Sequence, residues 1–568
     1  MAGMKIASFS FVAPPYRKVK ISEDRVLFWW MLILILVRLW FVQAQGFIAT
    51  YTPHDDYLFV RLAKGILSGE WLGPYDQLTL VKGPGYPLFI AFAHHIGIPL
   101  LLAQQLLYSF FCVMMISAVR PLVKNHWLLI TIFTFVLLNP FMYAYPATGR
   151  AFRLGLSMPL VLAVFSCGLG LVVRIGASFK SKFVWASGFG FFASLLWFTR
   201  EEGIWLLPGL GLFVLIFLIT DNGFSRKLLF QRFLLLIWVA AIFAGFYGSI
   251  VYLNHRAYGH ALVNELKSPQ FQSALGGLMN IEAPDAKRYV PVSREAKKLA
   301  YAASPTFRIL KPLFDADRSL RWPDSFYIWR LRDKVEMAGY SENLTDALDF
   351  YGKMGAELKE ACENGSLPCL ARKPSLRPPW RAEYNEFIWP YFSKVFLSAI
   401  TFSKLDEDSI LAHQYISSGT TEMVEDYTYV TLENPVTSRR KVMDNYPEYY
   451  MHMTTEKFRI LSDIAKAYKA VVVYLFALAL FIHLVLFVRE VRRRQFSVEV
   501  LYGFVVLGSL FSLVSVLSFV YITLWPITRP LFSAYPVTLF YIALVAILLF
   551  RARQQEREDA MLPWAVAG

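Results

Sequence analysis

Charged residues are scarce in this chain. They make up 17% of its 568 residues, whereas 56% of the residues are hydrophobic and 16% are aromatic. So little charge excludes an ordinary soluble globular protein, in which about a quarter of the residues are charged. The charge that is present is unbalanced, with a formal net value of +15. In a chain this apolar, the excess of Lys and Arg indicates the cytoplasmic loops of a multi-span membrane protein rather than a nucleic-acid partner.

Cysteine is also scarce, with four residues in the whole chain. Cys112 and Cys167 lie inside apolar runs, where a cysteine behaves as a small buried hydrophobe. Cys362 and Cys369 instead flank a polar Glu-Asn-Gly-Ser-Leu-Pro turn. They are placed to pair if that part of the chain lies in an oxidising compartment.

Three further patterns are absent: a nucleotide-binding glycine fingerprint at a strand-to-helix turn, an internal repeat and a low-complexity tract. The missing repeat disfavours transporters that are built from duplicated halves. A cleavable signal peptide is not predicted either, because the N-terminus is polar and basic and the first apolar run is long enough to remain as an anchor.

Long apolar runs dominate what is present, and they predict an α-helical polytopic membrane protein with about ten transmembrane helices. The runs lie near residues 26–47, 99–119, 126–142, 152–173, 183–198, 203–219, 228–252, 468–488, 498–522 and 530–551. Arg38 lies near the middle of the first run. A charge at that depth either has a function or pairs with a neighbouring helix.

Residues 48–98 form the loop after the first span, and two short helices are predicted in it. The first, from Asp56 to Leu67, has apolar and charged residues on opposite sides, which favours a position in the membrane interface. The second, from Tyr86 to Gly97, is apolar but too short to span the bilayer. With this topology the basic residues between spans fall on the side of the N-terminus, which predicts cytoplasmic N- and C-termini.

These runs and loops divide the chain into five parts. They are a cytoplasmic tail (1–25), an N-terminal transmembrane module (26–252) that includes the loop 48–98, an extracytoplasmic domain (253–466), the C-terminal transmembrane helices (467–552) and a second cytoplasmic tail (553–568). The domain 253–466 is the only sizeable polar block. Helical stretches such as Leu344 to Cys362, separated by proline-rich breaks, predict that it is mainly helical.

The sequence Tyr51-Thr52-Pro53-His54-Asp55-Asp56-Tyr57 follows the first span directly. Two adjacent carboxylates at a membrane surface have to be solvated, paired or used, so Asp55 and Asp56 are both candidate catalytic residues. The same stretch also fits a helix start with Thr52 as N-cap, in which Asp55 only satisfies backbone donors. His54 is a candidate hydrogen-bonding partner rather than a metal ligand, because no second histidine clearly joins it.

Five separate cations lie on the same predicted membrane face as this motif. They are Lys82, Arg150, Arg153, Arg200 and Arg529. Each lies at a helix end, where it also fits a simple anchor at the membrane surface. Cations that converge on one rim suit a phosphate, because donors placed in advance stabilise the charge that develops on a leaving phosphate. Since a carboxylate among them can accept the proton of an attacking hydroxyl, the combination predicts group transfer from a lipid phosphate.

Four short motifs are spread over that face. They are His54-Asp55-Asp56, Lys82-Gly83-Pro84-Gly85-Tyr86-Pro87, Phe198-Thr199-Arg200-Glu201-Glu202-Gly203, and Arg529-Pro530 with Tyr535-Pro536. Their order and placement resemble the polytopic glycosyltransferases of the GT-C class that use polyprenyl-phosphate sugars, including protein O-mannosyltransferases and lipid A aminoarabinose transferases. The resemblance covers the N-terminal half of the membrane region and its last helix.

The resemblance implies roles for individual residues. Asp55 would be the catalytic base, with Asp56 as the alternate, and the sugar would be transferred with inversion. Lys82 and Arg200 would contact the lipid phosphate. The wider set comprises two further candidate phosphate ligands, Arg153 and Arg529, and four candidate supporting residues, His54, Arg150, Glu202 and Tyr86.

The chain departs from the class at one position. Many members carry a second carboxylate early in the fourth span, where this chain has Gly149-Arg150-Ala151-Phe152-Arg153-Leu154 and no acid. Either Asp56, Glu201 or Glu202 takes its place, or Arg153 changes the preference for donor or acceptor.

We therefore expect an integral membrane glycosyltransferase of the bacterial inner (plasma) membrane, with its active site on the extracytoplasmic face. Its partners would be a polyprenyl-phosphate-linked sugar donor, a glycan, lipid or protein acceptor and membrane lipids, but no nucleic acid. The missing nucleotide fingerprint fits a donor that is already lipid-linked. No cofactor is implied, although paired acids are also able to hold a divalent metal ion.

Two other classes of protein fit parts of the pattern. A transporter or flippase for an anionic lipid or glycan would use the same cations as a binding rim, and a receptor or assembly factor would need no catalytic acid. A transporter should carry charged residues along a continuous path through the membrane. Mid-span charges other than Arg38 are scarce, which favours the transferase.

Overall fold

A computed structural model describes residues 10–12, 25–42, 45–219, 226–317, 324–405, 416–436, 448–524 and 529–565. Over these ranges the protein is mainly α-helical, as predicted, and it is a multi-pass membrane protein. Two three-residue strands, β1 (Ser10–Val12) and β2 (Gln495–Ser497), pair in parallel. They join the N-terminal tail to a loop between two C-terminal helices.

The described helices fall into three groups along the chain. The first group is α1 (Arg25–Val42), α2 (Asp56–Leu67), α3 (Gly85–His95), α4 (Leu100–Val119), α5 (His126–Leu137), α6 (Tyr145–Thr148), α7 (Leu154–Val173), α8 (Phe179–Thr199), α9 (Leu206–Ile219) and α10 (Arg226–Tyr258). The second group, termed the inserted domain, is α11 (Pro269–Asn280), α12 (Arg294–Ala303), α13 (Pro305–Arg308), α14 (Lys311–Asp315), α15 (Tyr327–Met337), α16 (Leu344–Glu363), α17 (Ile388–Ile400) and α18 (Thr421–Thr431). The third group is α19 (Glu448–Arg493), α20 (Val498–Thr523) and α21 (Ala534–Ala565).

Eight of the described helices are long and apolar enough to cross a membrane, which does not confirm the predicted count of ten. They are α1, α4, α5 with the turn that follows it, α7, α10, α19, α20 and α21. The helix at Gly203–Ile219 is apolar but shorter than these eight. The 21-residue α8 is not among them, because Lys182 and several small polar residues lower its mean hydropathy.

The helices α2 and α3 begin and end close to the predicted residues. The apolar side of α2 does not face lipid, however. Leu58 and Leu62 are fully buried and pack in one cluster with Leu344 and Leu348 of α16. The inserted domain therefore covers α2, and this contact replaces the predicted position in the membrane interface. We term the membrane face that carries α2, α3 and the inserted domain the site face.

The helix α7 lies at the centre of the bundle and is buried along its whole length. It packs against α4, α8, α20 and α21. Gly155 in its first turn permits close packing against α4, because a Cβ atom there would overlap the side chain of Gln104. Arg150 and Arg153, which precede α7, are thereby placed at the middle of the site face.

Arg38 in α1 is fully buried and pairs with neighbouring helices. Its guanidinium donates to the carbonyl of Leu137 and to the side-chain oxygen of Gln105. It also lies 4.6 Å from the ring centre of Tyr108 and 4.9 Å from that of Tyr143. The interpretation of Arg38 as a helix-packing residue accounts for these contacts, since polar and aromatic neighbours replace the water that the charge has lost.

The inserted domain has its own apolar core, which includes Phe271, Leu331 and Tyr351. Cys362 and Cys369 form a disulfide at the end of α16. The predicted limits at residues 253 and 466 fall inside α10 and α19, because both helices continue past the apolar runs that marked them. The fold thus places a helical domain directly on the site face, against the loop that carries Asp55 and Asp56.

Candidate active site

The segment that leads to Asp55 is held between two parts of the chain. The backbone N–H of Ile48 donates to the carbonyl of Gly149 at 3.0 Å. On the other side, the hydroxyls of Ser417 and Ser418 accept from the N–H groups of Ala49 and Tyr51, each at 3.0 Å. A loop position that depends on backbone bonds to residues far along the chain is well defined, and it fixes where α2 begins.

Asp55 immediately precedes α2, but its side chain caps no backbone donor of that helix. The structure therefore does not support the interpretation of Asp55 as a helix cap. Thr52 serves the helix start instead: its hydroxyl accepts from the N–H of Asp56 at 3.2 Å and donates to the Asp56 carboxylate at 2.8 Å. The Asp55 carboxylate is left to face the predicted cations.

Lys82 is the main partner of Asp55. Its ammonium donates both to the Asp55 carboxylate and to the backbone carbonyl of His54. The Lys82 side chain is only 8% exposed, whereas that of Asp55 is 37% exposed. Burial alone would raise the pKa of Asp55, but the charges of Lys82, Arg153 and Arg150 outweigh it and hold that pKa below its ordinary value of 3.8. Asp55 is thus an accessible carboxylate that stays charged at neutral pH.

Asp56 has a different environment, although it is the next residue. Its side chain is 0% exposed, and that of Arg150 is 4% exposed. Arg150 donates to both carboxylate oxygens, through Nε at 2.5 Å and through a terminal nitrogen. A two-pronged ion pair of this kind orients both groups and leaves little room for a reacting molecule. Asp56 and Arg150 therefore join α2 to the start of α7.

The Lys82-Gly83-Pro84-Gly85 segment lies against the end of α8. A Cβ atom on Gly83 would overlap the carbonyl oxygen of Phe198, and one on Gly85 would lie 2.6 Å from the Thr199 hydroxyl. Glycine is required at both positions because only a residue without a Cβ atom allows the two backbones to approach this closely. The contact brings Lys82 next to the segment that ends in Arg200, so two cations 118 positions apart in sequence share one region.

Arg200 is 7% exposed and donates to the Ser533 hydroxyl at 3.4 Å. Ser533 ends the short helix Arg529–Ser533, which leads into α21. The backbone of this helix is described, whereas the side chains of Arg529, Glu201 and Glu202 lie outside the described part of the structure. The predicted roles of Arg529 and Glu202 accordingly stay predictions.

The first loop, the start of α7, the end of α8 and the start of α21 thus meet on the site face. Two solved structures are similar to this chain over most of its length. The oligosaccharyltransferase AglB from Archaeoglobus fulgidus, solved with an inhibitory peptide and a dolichol-phosphate, is 13% identical, with 96% of this chain and 52% of AglB covered at a TM-score of 0.38. ArnT from Cupriavidus metallidurans, solved with undecaprenyl phosphate, is 14% identical, with 96% of this chain and 80% of ArnT covered at a TM-score of 0.30.

The chain spans about half the length of the archaeal oligosaccharyltransferase. No family model and no curated protein matches the chain. At these identities and TM-scores the two similarities do not establish a shared function.

Tyr86, a predicted supporting residue, is fully buried. Its hydroxyl accepts from the side-chain amide of Gln104 at 3.3 Å. Its ring meets the ring of Phe59 edge to face, with 5.3 Å between centroids, and the Lys82 ammonium lies 5.0 Å from the centre of the same Phe59 ring. Tyr86 therefore supports the site through Phe59 and does not itself reach solvent.

His54 connects the site to the inserted domain, a role that sequence reasoning could not supply. Its Nε2 lies 3.4 Å from the Asp333 carboxylate, and its ring packs against Trp329 with 5.2 Å between centroids. Both residues belong to α15. They lie four positions apart, on the same side of that helix. The only indication in the sequence was the helical spacing of Trp329 and Asp333, and this spacing does not reveal that His54 is their partner.

A buried ion pair fixes the same side of α15 to the first loop. Arg332 and Glu265 are both 0% exposed and are joined by two bonds of 2.8 Å. Arg332 also donates to the carbonyl of Gln77 at 2.8 Å, and the Tyr75 hydroxyl donates to Glu265 at 2.9 Å. The inserted domain is therefore held against the first loop by a packed, hydrogen-bonded contact.

No group of three or more His, Cys, Asp or Glu side chains among the described residues is placed to hold a metal ion. The two adjacent acids are also directed to different cations, Asp55 to Lys82 and Asp56 to Arg150. This arrangement does not present them as a pair of ligands for one ion.

Glu433 gives a test of how the segment 416–436 is held. Its carboxylate accepts from the N–H of Leu101 at 2.7 Å, and burial raises its pKa to about 7. An acid whose pKa is raised by folding stabilises the protein fully at low pH. That contribution is lost as the pH rises from the ordinary pKa of the acid towards 7. We expect Glu433→Gln to raise the free energy of unfolding by about 1–3 kcal/mol at pH 8. Most of this gain should disappear at pH 5.

The measurement is the apparent melting temperature in detergent at both pH values. Glu425→Gln, on the exposed side of α18, is the matched control and should show no such difference. An equal effect of Glu433→Gln at pH 5 and pH 8 would contradict the raised pKa.

Proposed function

We propose that this protein is an integral membrane glycosyltransferase that moves a sugar from a polyprenyl-phosphate donor to an acceptor hydroxyl, with Asp55 as the general base. The difference between the two adjacent acids carries this proposal. Asp55 is accessible and charged beside Lys82, whereas Asp56 is enclosed with Arg150. An accessible carboxylate within a group of cations suits both removal of a proton from the acceptor and departure of a phosphate.

In the proposed reaction the acceptor oxygen attacks the anomeric carbon of the sugar on the side opposite the phosphate. The hydroxyl proton passes to Asp55. The bond between the anomeric carbon and the phosphate oxygen breaks, and its electron pair stays on the polyprenyl phosphate. Lys82 and Arg200 stabilise that charge, with Arg153 and Arg529 as further candidate ligands. The sugar is inverted in the process.

Lys82 has to change partners during this cycle. Without a donor it neutralises Asp55. When a lipid phosphate binds, its negative charge competes for the same ammonium group. As Lys82 turns to the phosphate, Asp55 loses the charge that lowers its pKa and becomes a stronger base. Binding of the donor would therefore activate the base at the moment when it is needed.

We further propose that the site face is extracytoplasmic, with both termini in the cytoplasm, as in a bacterial inner-membrane protein. Basic residues gather in loops that alternate with the site-face loops, such as Arg120 and Lys124 after α4 and Arg492 to Arg494 after the apolar part of α19. Such loops favour the cytoplasm. The disulfide between Cys362 and Cys369 also suits an oxidising compartment.

The deciding experiment reconstitutes purified protein with polyprenyl-phosphate sugars that carry a label in the sugar, together with glycan, lipid and peptide acceptors. We expect labelled acceptor and free polyprenyl phosphate in equal amounts. Label that crosses sealed vesicles on its lipid, with no covalent product, would contradict the proposal and favour a flippase.

Replacement of Lys82 by methionine tests its two roles. Loss of a charged hydrogen bond to phosphate should raise KM for the lipid donor by about 10- to 100-fold. The acid limb of the pH profile of kcat/KM should also move to higher pH, because the charge that lowers the pKa of Asp55 is gone. Steady-state rates between pH 4 and pH 8 give both quantities.

The exposed Lys353→Met variant on α16 controls for loss of a surface charge and should match the wild type. A Lys82→Met enzyme with unchanged donor KM would contradict the phosphate role of Lys82. An unchanged acid limb would contradict its control of Asp55.

A further inference from the structure

The helix α17 is the most apolar part of the inserted domain. It runs from Ile388 to Ile400, and Lys394 is its only charged residue. At 13 residues it is too short to cross about 30 Å of hydrocarbon. The sequence assigned it to the extracytoplasmic domain, outside the membrane.

Ring contacts along the spanning helix α20 show that α17 runs down its side. The ring of Tyr391 lies 4.7 Å from that of Tyr521, close to the site-face end of α20. The ring of Phe396 lies 5.5 Å from that of Phe511, near the middle of α20. Ten residues of α-helix separate Tyr521 from Phe511 and rise roughly 15 Å. The ring of Phe392 lies 6.2 Å from that of Phe511 as well, so α17 lies beside the middle of α20 from Phe392 onward.

Two other spanning helices also contact this part of the chain. The ring of Phe396 also lies 6.1 Å from that of Phe476, well inside α19. Beyond α17, the ring of Phe402 lies 4.3 Å from that of Tyr535 in α21. Because Arg551 of α21 pairs with Glu499 of α20 at the other membrane face, Tyr535 lies level with a point roughly 24 Å up α20 from Glu499. That point is the level of Ser515, about one helical turn nearer the site face than Phe511.

We propose that residues 388–405 form a re-entrant element in the site-face half of the membrane, and that the exposed side of α17 contacts the acyl chains of the bilayer. Trp389 is 73% exposed and Leu397 is 52% exposed. At the depth of Phe511, the medium that surrounds a membrane-spanning helix is hydrocarbon, and large apolar side chains suit it. The partner of this surface is therefore membrane lipid and not a second protein or water.

The position of Lys394 supports the same conclusion. Its ammonium lies 5.4 Å from the ring centre of Tyr521, close to the membrane surface, and not at the deeper level of Phe511. A lysine that extends its charge towards the surface while its chain covers apolar residues is typical of a helix inserted in a membrane. Arg288 fixes the top of the element, because it donates to the carbonyl of Ile522 at 2.9 Å and lies 4.9 Å from the ring centre of Tyr391.

The inserted element would close the apolar side of the candidate site. Phe402 packs on Tyr535, two residues after Ser533, which binds Arg200. A hydrocarbon-embedded wall at this point excludes water from one side of the cations and strengthens their interaction with a phosphate. The insertion itself does not depend on the proposed reaction, so it is tested without an activity measurement.

The test uses full-length protein in lipid nanodiscs with a spin label on a single introduced cysteine. Leu397→Cys and Ser393→Cys lie on the exposed side of α17, and Asp349→Cys on the exposed side of α16 is the matched control. The unmodified protein, in which Cys112 and Cys167 are buried, gives the background. The ratio of collisions with oxygen to collisions with a water-soluble nickel chelate should be several-fold higher at residue 397 than at residue 349.

Residue 393 should show the same preference if Leu397→Cys does not fold, as judged by size-exclusion chromatography. A nickel accessibility at residues 397 and 393 equal to that at residue 349 would overturn the proposal. Exclusion of both oxygen and nickel from residue 397 would overturn it too, because that result would mean protein and not lipid contact.

Discussion

Asp55→Asn is expected to lower the rate of sugar transfer by about 10²- to 10⁴-fold, the usual contribution of a general base. Asparagine preserves the size of the side chain and one acceptor oxygen for Lys82, but it cannot take the proton of the acceptor hydroxyl. The side chain is 37% exposed and caps no helix, so the fold should tolerate the change. The measurement is single-turnover transfer from donor that is fully bound to an excess of enzyme, which separates the rate of the transfer step from donor affinity.

The control for Asp55→Asn is Glu70→Gln, an exposed acid in the same loop. It should transfer sugar at the wild-type rate. Donor binding by the Asp55→Asn protein should be equal to that of the wild type or tighter, because Lys82 is no longer neutralised by a carboxylate. A transfer rate within a few-fold of the wild type would show that another group accepts the proton.

Asp56→Ala is expected to destabilise the protein by about 3–5 kcal/mol, because it leaves the buried guanidinium of Arg150 without its carboxylate. Both side chains are almost fully buried, and Arg150 donates to both oxygens. Apparent melting temperatures in detergent measure the effect. The rate of sugar transfer per folded molecule should fall far less in Asp56→Ala than in Asp55→Asn.

The double variant Asp56→Ala/Arg150→Met checks the cause of that loss. Removal of the unpaired charge should recover part of the stability, so that the double variant melts above the Asp56→Ala single variant. If Asp56→Ala abolished transfer and left the melting temperature unchanged, Asp56 and not Asp55 would be the better candidate for the base.

Local patterns in the sequence were sufficient for most of the helices. The limits of α2 and α16 agree with prediction to within a residue, because each has a clear apolar periodicity and polar residues at its ends. The depth of α17 was not predictable. Its 13 residues are compatible with a soluble amphipathic helix, and only its register against Phe511 and Phe476 places it in the membrane.

The candidate site divides in the same way. The sequence identified Asp55, Lys82 and Arg200 as charges at helix ends on one membrane face. It did not separate Asp55 from Asp56, and it missed Asp333 and Trp329, because neighbouring acids have the same local signal and the partners lie in a distant domain.

The sequence by itself determined that this is a helical membrane protein and which charges lie at the ends of its helices, because these properties depend on apolar runs and on spacing within one element. Only the tertiary structure decided that Asp56 is enclosed by Arg150 while Asp55 faces solvent beside Lys82. The physical reason is distance along the chain: Asp56 and Arg150 are 94 residues apart. Their pairing depends on how α2 packs against the start of α7, which no local pattern records.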